Sequence, residues 1–191
     1  MTEIRVEHLR KAYGAQTLLN DVSFTVTGER PLCVMAPSGA GKTTLLRILL
    51  GLERPDSGTV LQSEDCRWAA VFQEDRLLEQ LDAMGNLRFV LGGALEWDRA
   101  ATLLRALGLD PEDGKPVRAY SGGMKRRLAL ARALLAPFDA LALDEPFAGL
   151  DGENRDRAVD CIRTWSAGKP VLVVTHDEAD AHSLCAEILH L

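Results

Sequence analysis

A chain of 191 residues is long enough for one well-buried domain, 1–191, with a subdomain set into it. Its 47% hydrophobic and 26% charged residues match a soluble globular protein. The formal net charge of −6 argues against a nucleic-acid partner held by a broad basic surface.

The longest apolar stretches, such as Val171–Thr175, are too short to cross a bilayer. Residues 1–10 alternate Ile4, Val6 and His8 with Glu3, Arg5 and Glu7 instead of forming a charged-then-apolar leader. The expected location is therefore cytoplasmic, with any membrane role exercised by docking on a spanning partner. Cys33, Cys66, Cys161 and Cys185 show no paired metal-ligand spacing, and three of the four lie in apolar or strand-like contexts suited to small buried thiols.

Alternation in Glu3–Leu9 and Asp21–Val26, separated by Tyr13-Gly14, predicts short antiparallel strands at the start. Pro31–Met35 is apolar on both parities and reads as a fully buried strand. A glycine-rich turn follows, and then an apolar helix over Lys42–Leu50 that ends at Gly51. Gly58–Leu61 and Arg67–Phe72 are further strands. From about residue 75 to 135 the texture changes to helices punctuated by Gly85, Gly92-Gly93, Gly108, Pro111 and Gly114, the pattern of an inserted subdomain. Buried strands return at Ala140–Leu143 and Val171–Thr175, with a helix over Gly152–Ser166 between them. The expected class is α/β, with a mostly parallel core sheet, an N-terminal antiparallel β subdomain and an inserted α-helical subdomain.

The strongest local signal is the run Ala36, Pro37, Ser38, Gly39, Ala40, Gly41, Lys42, Thr43, Thr44, set between a buried strand and an apolar helix. That context is the one a phosphate-binding P-loop requires. Consecutive N–H groups around Ser38–Thr43 would face one concavity, aided by the positive end of the helix. Lys42 supplies a point charge for the β- and γ-phosphates, and Thr43 a hydroxyl oxygen for Mg²⁺. The motif usually opens on glycine, where this chain has Ala36. Because a residue before proline is pushed into extended geometry with negative φ, alanine fits there without strain.

Asp144 and Glu145 directly follow a buried strand, and ligands of open parallel sheets bind at the carboxyl ends of strands. Asp144 is expected to hold Mg²⁺ through its water shell, and Glu145 to polarise the attacking water. Alone, such an acid pair is more often a solvated loop; the P-loop on the same sheet tips the reading. His176 ends the next buried strand, at the same edge, where an imidazole can orient the nucleophilic water. His8, His182 and His190 read as surface or packing residues. Ser121, Gly122 and Gly123 then form a serine N-cap and a bare glycine start to a basic, amphipathic helix through Arg132, a second anion-binding terminus. By itself, that segment reads better as an ordinary capped helix.

Together these residues resemble the nucleotide-binding subunit of ATP-binding cassette (ABC) transporters over essentially the whole chain. The ordered set is the P-loop Ala36–Thr44, Gln73, the Ser121-Gly122-Gly123 signature, Asp144-Glu145, Ala148–Asp151 and His176. The resemblance implies an ATPase that uses ATP and Mg²⁺. It makes Tyr13 the residue that stacks on adenine and Gln73 a group that touches Mg²⁺ and the attacking water. It places Ser121, Gly122 and Gly123 on the γ-phosphate of ATP held by a second subunit, with Asp151 linking the two sites. The implied partners are a second copy or a similar ATPase subunit in a head-to-tail dimer, an integral membrane permease and a solute-binding protein.

At finer grain, Phe72–Leu78 and Ser121–Arg127 look like the subunits of nitrate, sulfonate and taurine importers, where a methionine such as Met124 also follows the two glycines. This chain has Glu79-Gln80 where that group commonly has Pro-Trp. Leu77, Leu78, Leu81 and Met84 are expected either to line a groove for the permease or to form a local helical core. With fifteen residues after His176, no regulatory C-terminal domain is expected. Two other readings stay open: a non-transport ABC ATPase of cell division or lipoprotein release, and a module that closes on ATP but hydrolyses it poorly.

Overall fold

The structure is a computed structural model and describes residues 2–37 and 39–191. Strands β1 (Ile4–Tyr13) and β2 (Gln16–Val26) form an antiparallel hairpin, paired from Tyr13↔Gln16 back to Ile4↔Val26. Both outrun the alternation expected of them, because the ladder is broken by register shifts, one lying between Val6 and Leu9. His8 occupies that break with φ 53°, so the inward sequence runs Ile4, Val6, Leu9 instead of Ile4, Val6, His8. Strand β4 (Ser57–Leu61) pairs with β1 from the other side, completing a three-stranded sheet in the order β2-β1-β4.

The core sheet holds β3 (Leu32–Met35), β5 (Trp68–Val71), β6 (Ala140–Asp144), β7 (Val171–Thr175) and β8 (Glu187–His190) in the order β5-β6-β7-β3-β8. Pairing of β3 with β7 and β8, and of β6 with β7, is parallel. Every residue of β3, β6 and β7 is buried, which is why these strands read as unbroken apolar runs. Helix α1 (Lys42–Leu49) lies against β6 and β7 and closes at Gly51, whose φ of 68° is the left-handed turn expected after a helix.

Among the described residues there are four more long helices: α2 (Ala83–Leu91), α3 (Trp97–Ala106), α4 (Gly122–Leu135) and α5 (Gly152–Trp165). A short helix, α6 (Glu178–Leu184), precedes β8. Tertiary contacts divide the chain into two units. One contains Met1–Ala70, Phe138–Glu145 and Gly168–Leu191; the other contains Val71–Pro137 and Pro146–Ala167. The first has its core in residues such as Ile4, Leu9, Val34, Leu45, Leu46, Ala142 and Leu172. In the second, α4 packs against α2, α3 and α5.

That central position overturns the amphipathic reading of α4. Arg126 and Arg127 are buried along with Leu128–Ala131 and Ala133–Leu135, since three helices cover most of its faces. The buried guanidinium groups donate to main-chain carbonyls: Arg126 Nη1 to Phe72 O at 2.5 Å, and Arg127 Nη1 to Leu107 O at 2.6 Å and Gly108 O at 3.0 Å. Arg132 donates to Asp75 O at 2.8 Å and Arg76 O at 2.6 Å. Met84 is also buried and belongs to the helical core, whereas Leu78 and Leu81 are partly exposed.

The cysteine expectation holds only in part. Cys33 and Cys161 are buried, Cys66 is half-buried and Cys185 is exposed, at the left-handed end of α6. Burial pushes the Cys33 thiol up to about 12 and the Cys161 thiol up to about 11, which keeps both protonated.

Candidate active site

Because β3, β6 and β7 run parallel and in register, with Met35 opposite Thr175 and Asp144 opposite Val174, their carboxyl ends share one edge. The segments leaving that edge carry the glycine-rich turn, Asp144-Glu145 and His176. The core sheet therefore gathers three groups widely separated in the chain.

In the turn, Gly39 and Gly41 have φ of 81° and 94°, which explains glycine at both places. A Cβ on Gly41 would also meet Leu18 O at 3.0 Å. Ala36 is buried and is not among the residues with positive φ, in keeping with its place before Pro37. Ala40 N–H donates to Pro37 O at 3.2 Å, closing the turn. Ser38 lies outside the described residues. Helix α1 starts with no side-chain cap and no acid in its first turn, whereas α2, α4, α5 and α6 are capped by Asp82, Ser121, Asp151 and Asp177. An N-terminus built this way suits an anion, which supplies the acceptor that a capping side chain supplies elsewhere. Lys42 is buried against the turn, its ammonium 2.5 Å from Ala36 O and 3.0 Å from Pro37 O.

Thr43 Oγ1 donates to Asp144 Oδ2 at 3.1 Å, bringing a hydroxyl and a carboxylate oxygen from two elements to one point. Asp144 is 3% exposed. Two hard oxygen donors fit Mg²⁺, which keeps several waters and needs few protein ligands. Thr44 lies in the same first turn of α1.

Glu145 sits at the strand end with φ 49°, its N–H donating to Val174 O at 2.9 Å. His176 Nδ1 is 2.8 Å from Glu145 Oε1, so any phosphate contact by this ring falls to Nε2. Thr175, unremarked in the sequence, completes the arrangement. Its hydroxyl lies 2.5 Å from Asp180 Oδ2 and 3.3 Å from Glu145 Oε2, and it accepts the Asp177 N–H at 3.1 Å. With one proton to donate, the hydroxyl favours the shorter contact to Asp180.

The hydrogen bond to Glu145 and its negative charge raise the His176 pKa above the usual histidine value. A raised folded-state pKa means the pairing is fully present below about pH 6.5 and fades as pH climbs through the raised value. Glu145→Gln should accordingly move the His176 titration downward, as read from the ring carbon shifts by NMR. An unshifted titration would show that this contact is not formed in solution.

Among the residues of the helical unit, Gln73, Asp75, Ser121, Gly122, Gly123 and Asp151 border one cavity of about 620 Å³. The Ser121 hydroxyl accepts the Met124 N–H at 3.2 Å, the cap expected for α4. Asp151 caps α5, accepting the Asn154 N–H at 2.9 Å, and this bond holds its carboxyl below the ordinary range. Gln73 is exposed in the loop after β5. Arg126 fixes the Phe72 carbonyl just before it and Arg132 the Asp75 and Arg76 carbonyls further along the loop, and Arg126 also pairs with Asp75 at 3.1 Å. Sequence reasoning read these arginines only as part of a basic, amphipathic helix and gave them no place at the site.

Tyr13 projects at the hairpin end, 48% exposed, with its phenol bonded to the Glu53 carboxylate.

Residues 19–148 match the sequence model of a family described as ABC transporter. The chain is 38% identical over 201 residues to the Nod factor export ATP-binding protein I of Ralstonia nicotianae, covering 97% of itself and 63% of that relative. It is 39% identical over 193 residues to an aliphatic sulfonates import ATP-binding protein of Nocardia farcinica, covering 98% and 77%. A taurine import ATP-binding protein of Pseudomonas fluorescens is 33% identical over 206 residues, with 100% and 78% covered. Among solved structures, a dimeric bacterial ABC transporter cassette matches with TM-score 0.83 and 27% identity over 98% of this chain and 94% of that one. A post-hydrolysis dimer bound to ADP and Pi matches equally well.

Proposed function

This chain belongs to the ABC transporter family and is an ATP-binding ATPase, and from that premise we propose that it is the motor subunit of a membrane transporter. The observation that carries the reading is the shared edge at which Lys42, the Thr43–Asp144 contact and the Glu145–His176 pair converge. ATP lies with its phosphates over residues 36–44 and its adenine on Tyr13. Thr43 and Asp144 would hold Mg²⁺, which would supply charge neutralisation for the phosphates. Glu145 accepts a proton from the attacking water, and His176 keeps that carboxylate oriented.

The Ser121-Gly122-Gly123 terminus, with Gln73 and Asp151 on the same cavity, reads the γ-phosphate of ATP held by a second copy. A two-fold dimer then uses both anion-binding termini of each chain, and the dimeric relatives support that arrangement. ATP closes the dimer, hydrolysis reopens it, and the motion is passed to an integral membrane permease, joined by a solute-binding protein where cargo moves inward. The permease would hold the chain on the cytoplasmic face of the membrane; no helix among the described residues is long and apolar enough to cross it. Both importers and an exporter stand among the relatives, and the sulfonate and taurine proteins support an importer.

Co-expression with a multi-span permease should yield a complex in detergent whose ATPase rate responds to cargo. A chain that dimerises on ATP but never associates with a permease would point instead to a non-transport ABC ATPase.

A further inference from the structure

Tyr13 is not simply an exposed ring at a hairpin end. Its phenol donates to a Glu53 carboxylate oxygen, and the Thr44 hydroxyl approaches the same phenol. Glu53 belongs to the loop leaving α1, where its N–H donates to Arg47 O at 3.2 Å, beside the Leu52 N–H at 2.8 Å. Helix α1 therefore begins with Lys42 in the phosphate turn and, one short helix later, carries the acid that grips the aromatic ring.

The neighbours reinforce the grip. Lys11 Nζ lies 3.6 Å from Glu53 Oε1 and 3.2 Å from Asp56 Oδ1, and it donates to Arg54 O at 2.9 Å. The same ammonium stands over the Tyr13 ring, 5.3 Å from its centroid. Asp56 accepts the Ala12 N–H at 2.8 Å, tying the strand just before Tyr13 to the same loop. Arg47 adds a longer contact, 3.8 Å from Glu53 Oε2. Although Glu53 is charged, its side chain is only 17% exposed. A ring that must meet a flat base gains by being held beforehand, because its rotamer freedom is then not lost on binding.

We propose that Glu53 is a positioning residue for nucleotide recognition, holding the Tyr13 ring against the loop that ends α1 so that base and phosphates are read as one unit. The inference rests on the reading of Tyr13 as the adenine platform. Glu53 touches neither base nor phosphate and acts only through that ring.

The test compares Glu53→Ala, Glu53→Gln, Tyr13→Phe and Tyr13→Ala, reading KM and kcat for ATP and calorimetric binding of inorganic tripolyphosphate, which has no base. Losing a hydrogen bond to a charged partner should raise KM for ATP about tenfold in Glu53→Ala and Tyr13→Phe. Here kcat should change far less than KM, and tripolyphosphate binding should match the unaltered protein. Glu53→Gln keeps an acceptor for the phenol and should recover most of the affinity. If Glu53→Ala weakens tripolyphosphate as much as ATP, the residue merely supports the fold and the proposal fails. It fails too if Tyr13→Ala raises KM while Glu53→Ala and Tyr13→Phe do not. If Tyr13→Ala itself leaves KM unchanged, the adenine-platform reading is what falls.

Discussion

Replacing Glu145 with glutamine should lower ATP turnover about 10²–10⁴-fold, the usual contribution of a positioned general base, while ATP still binds. Glutamine has the same shape and keeps an oxygen for the His176 ring, but it cannot take a proton from water. The backbone that sets the side chain stays as it is, with φ 49° and the N–H bond to Val174 O at 2.9 Å. Nucleotide contacts of the phosphate turn are untouched, so the variant should collect in an ATP-bound, closed dimer, visible as an ATP-dependent doubling of mass in light scattering. Single-turnover phosphate release measures the chemical step directly. Undiminished release would remove Glu145 from the role of base and leave the Thr43–Asp144 side of the site to account for hydrolysis.

Much of this edge was legible in the sequence because its chemistry leaves few choices of residue. Positive φ at 39 and 41 demands glycine, and a two-faced buried strand demands unbroken apolar runs at β3, β6 and β7. What escaped were features settled by tertiary surroundings. β8 is an edge strand exposed at three of its four positions, so it has neither apolar run nor alternation to announce it. The His8 break exchanges one inward residue for the next, which periodicity alone reads the wrong way.

The arginines of α4 show the same limit at the candidate site itself. Charge on a helix ordinarily marks a solvated face, but Arg126 and Arg132 turn inward to main-chain carbonyls on either side of Gln73. Only the packing of three helices around α4 decides that. Tyr13 was legible as an aromatic at a turn. Its partner Glu53, 40 residues away in sequence, was not, because the pairing depends on how the hairpin end meets the loop after α1.

Lys42→Ala should be the most damaging change to ATP binding. In this structure the ammonium is held by Ala36 O and Pro37 O at 2.5 and 3.0 Å, with the residue only 9% exposed, so the charge is stored inside the turn proposed to receive phosphate. In the proposed reading, binding would exchange those carbonyls for phosphate oxygens, a trade of neutral acceptors for charged ones. Two charge-assisted hydrogen bonds at about 1.5–3 kcal/mol each predict affinity weakened by about 10²–10⁴-fold, measurable by calorimetry with ATP. Lys42→Arg should rescue little, because a planar guanidinium does not fit where a compact ammonium meets two carbonyls at close range. The fold should survive either change, since the main contacts of α1 run through Leu45, Leu46 and Leu49. Unaltered ATP affinity in Lys42→Ala would mean that the α1 N-terminus and the turn amides hold the phosphates alone, and that the buried lysine serves to close the turn.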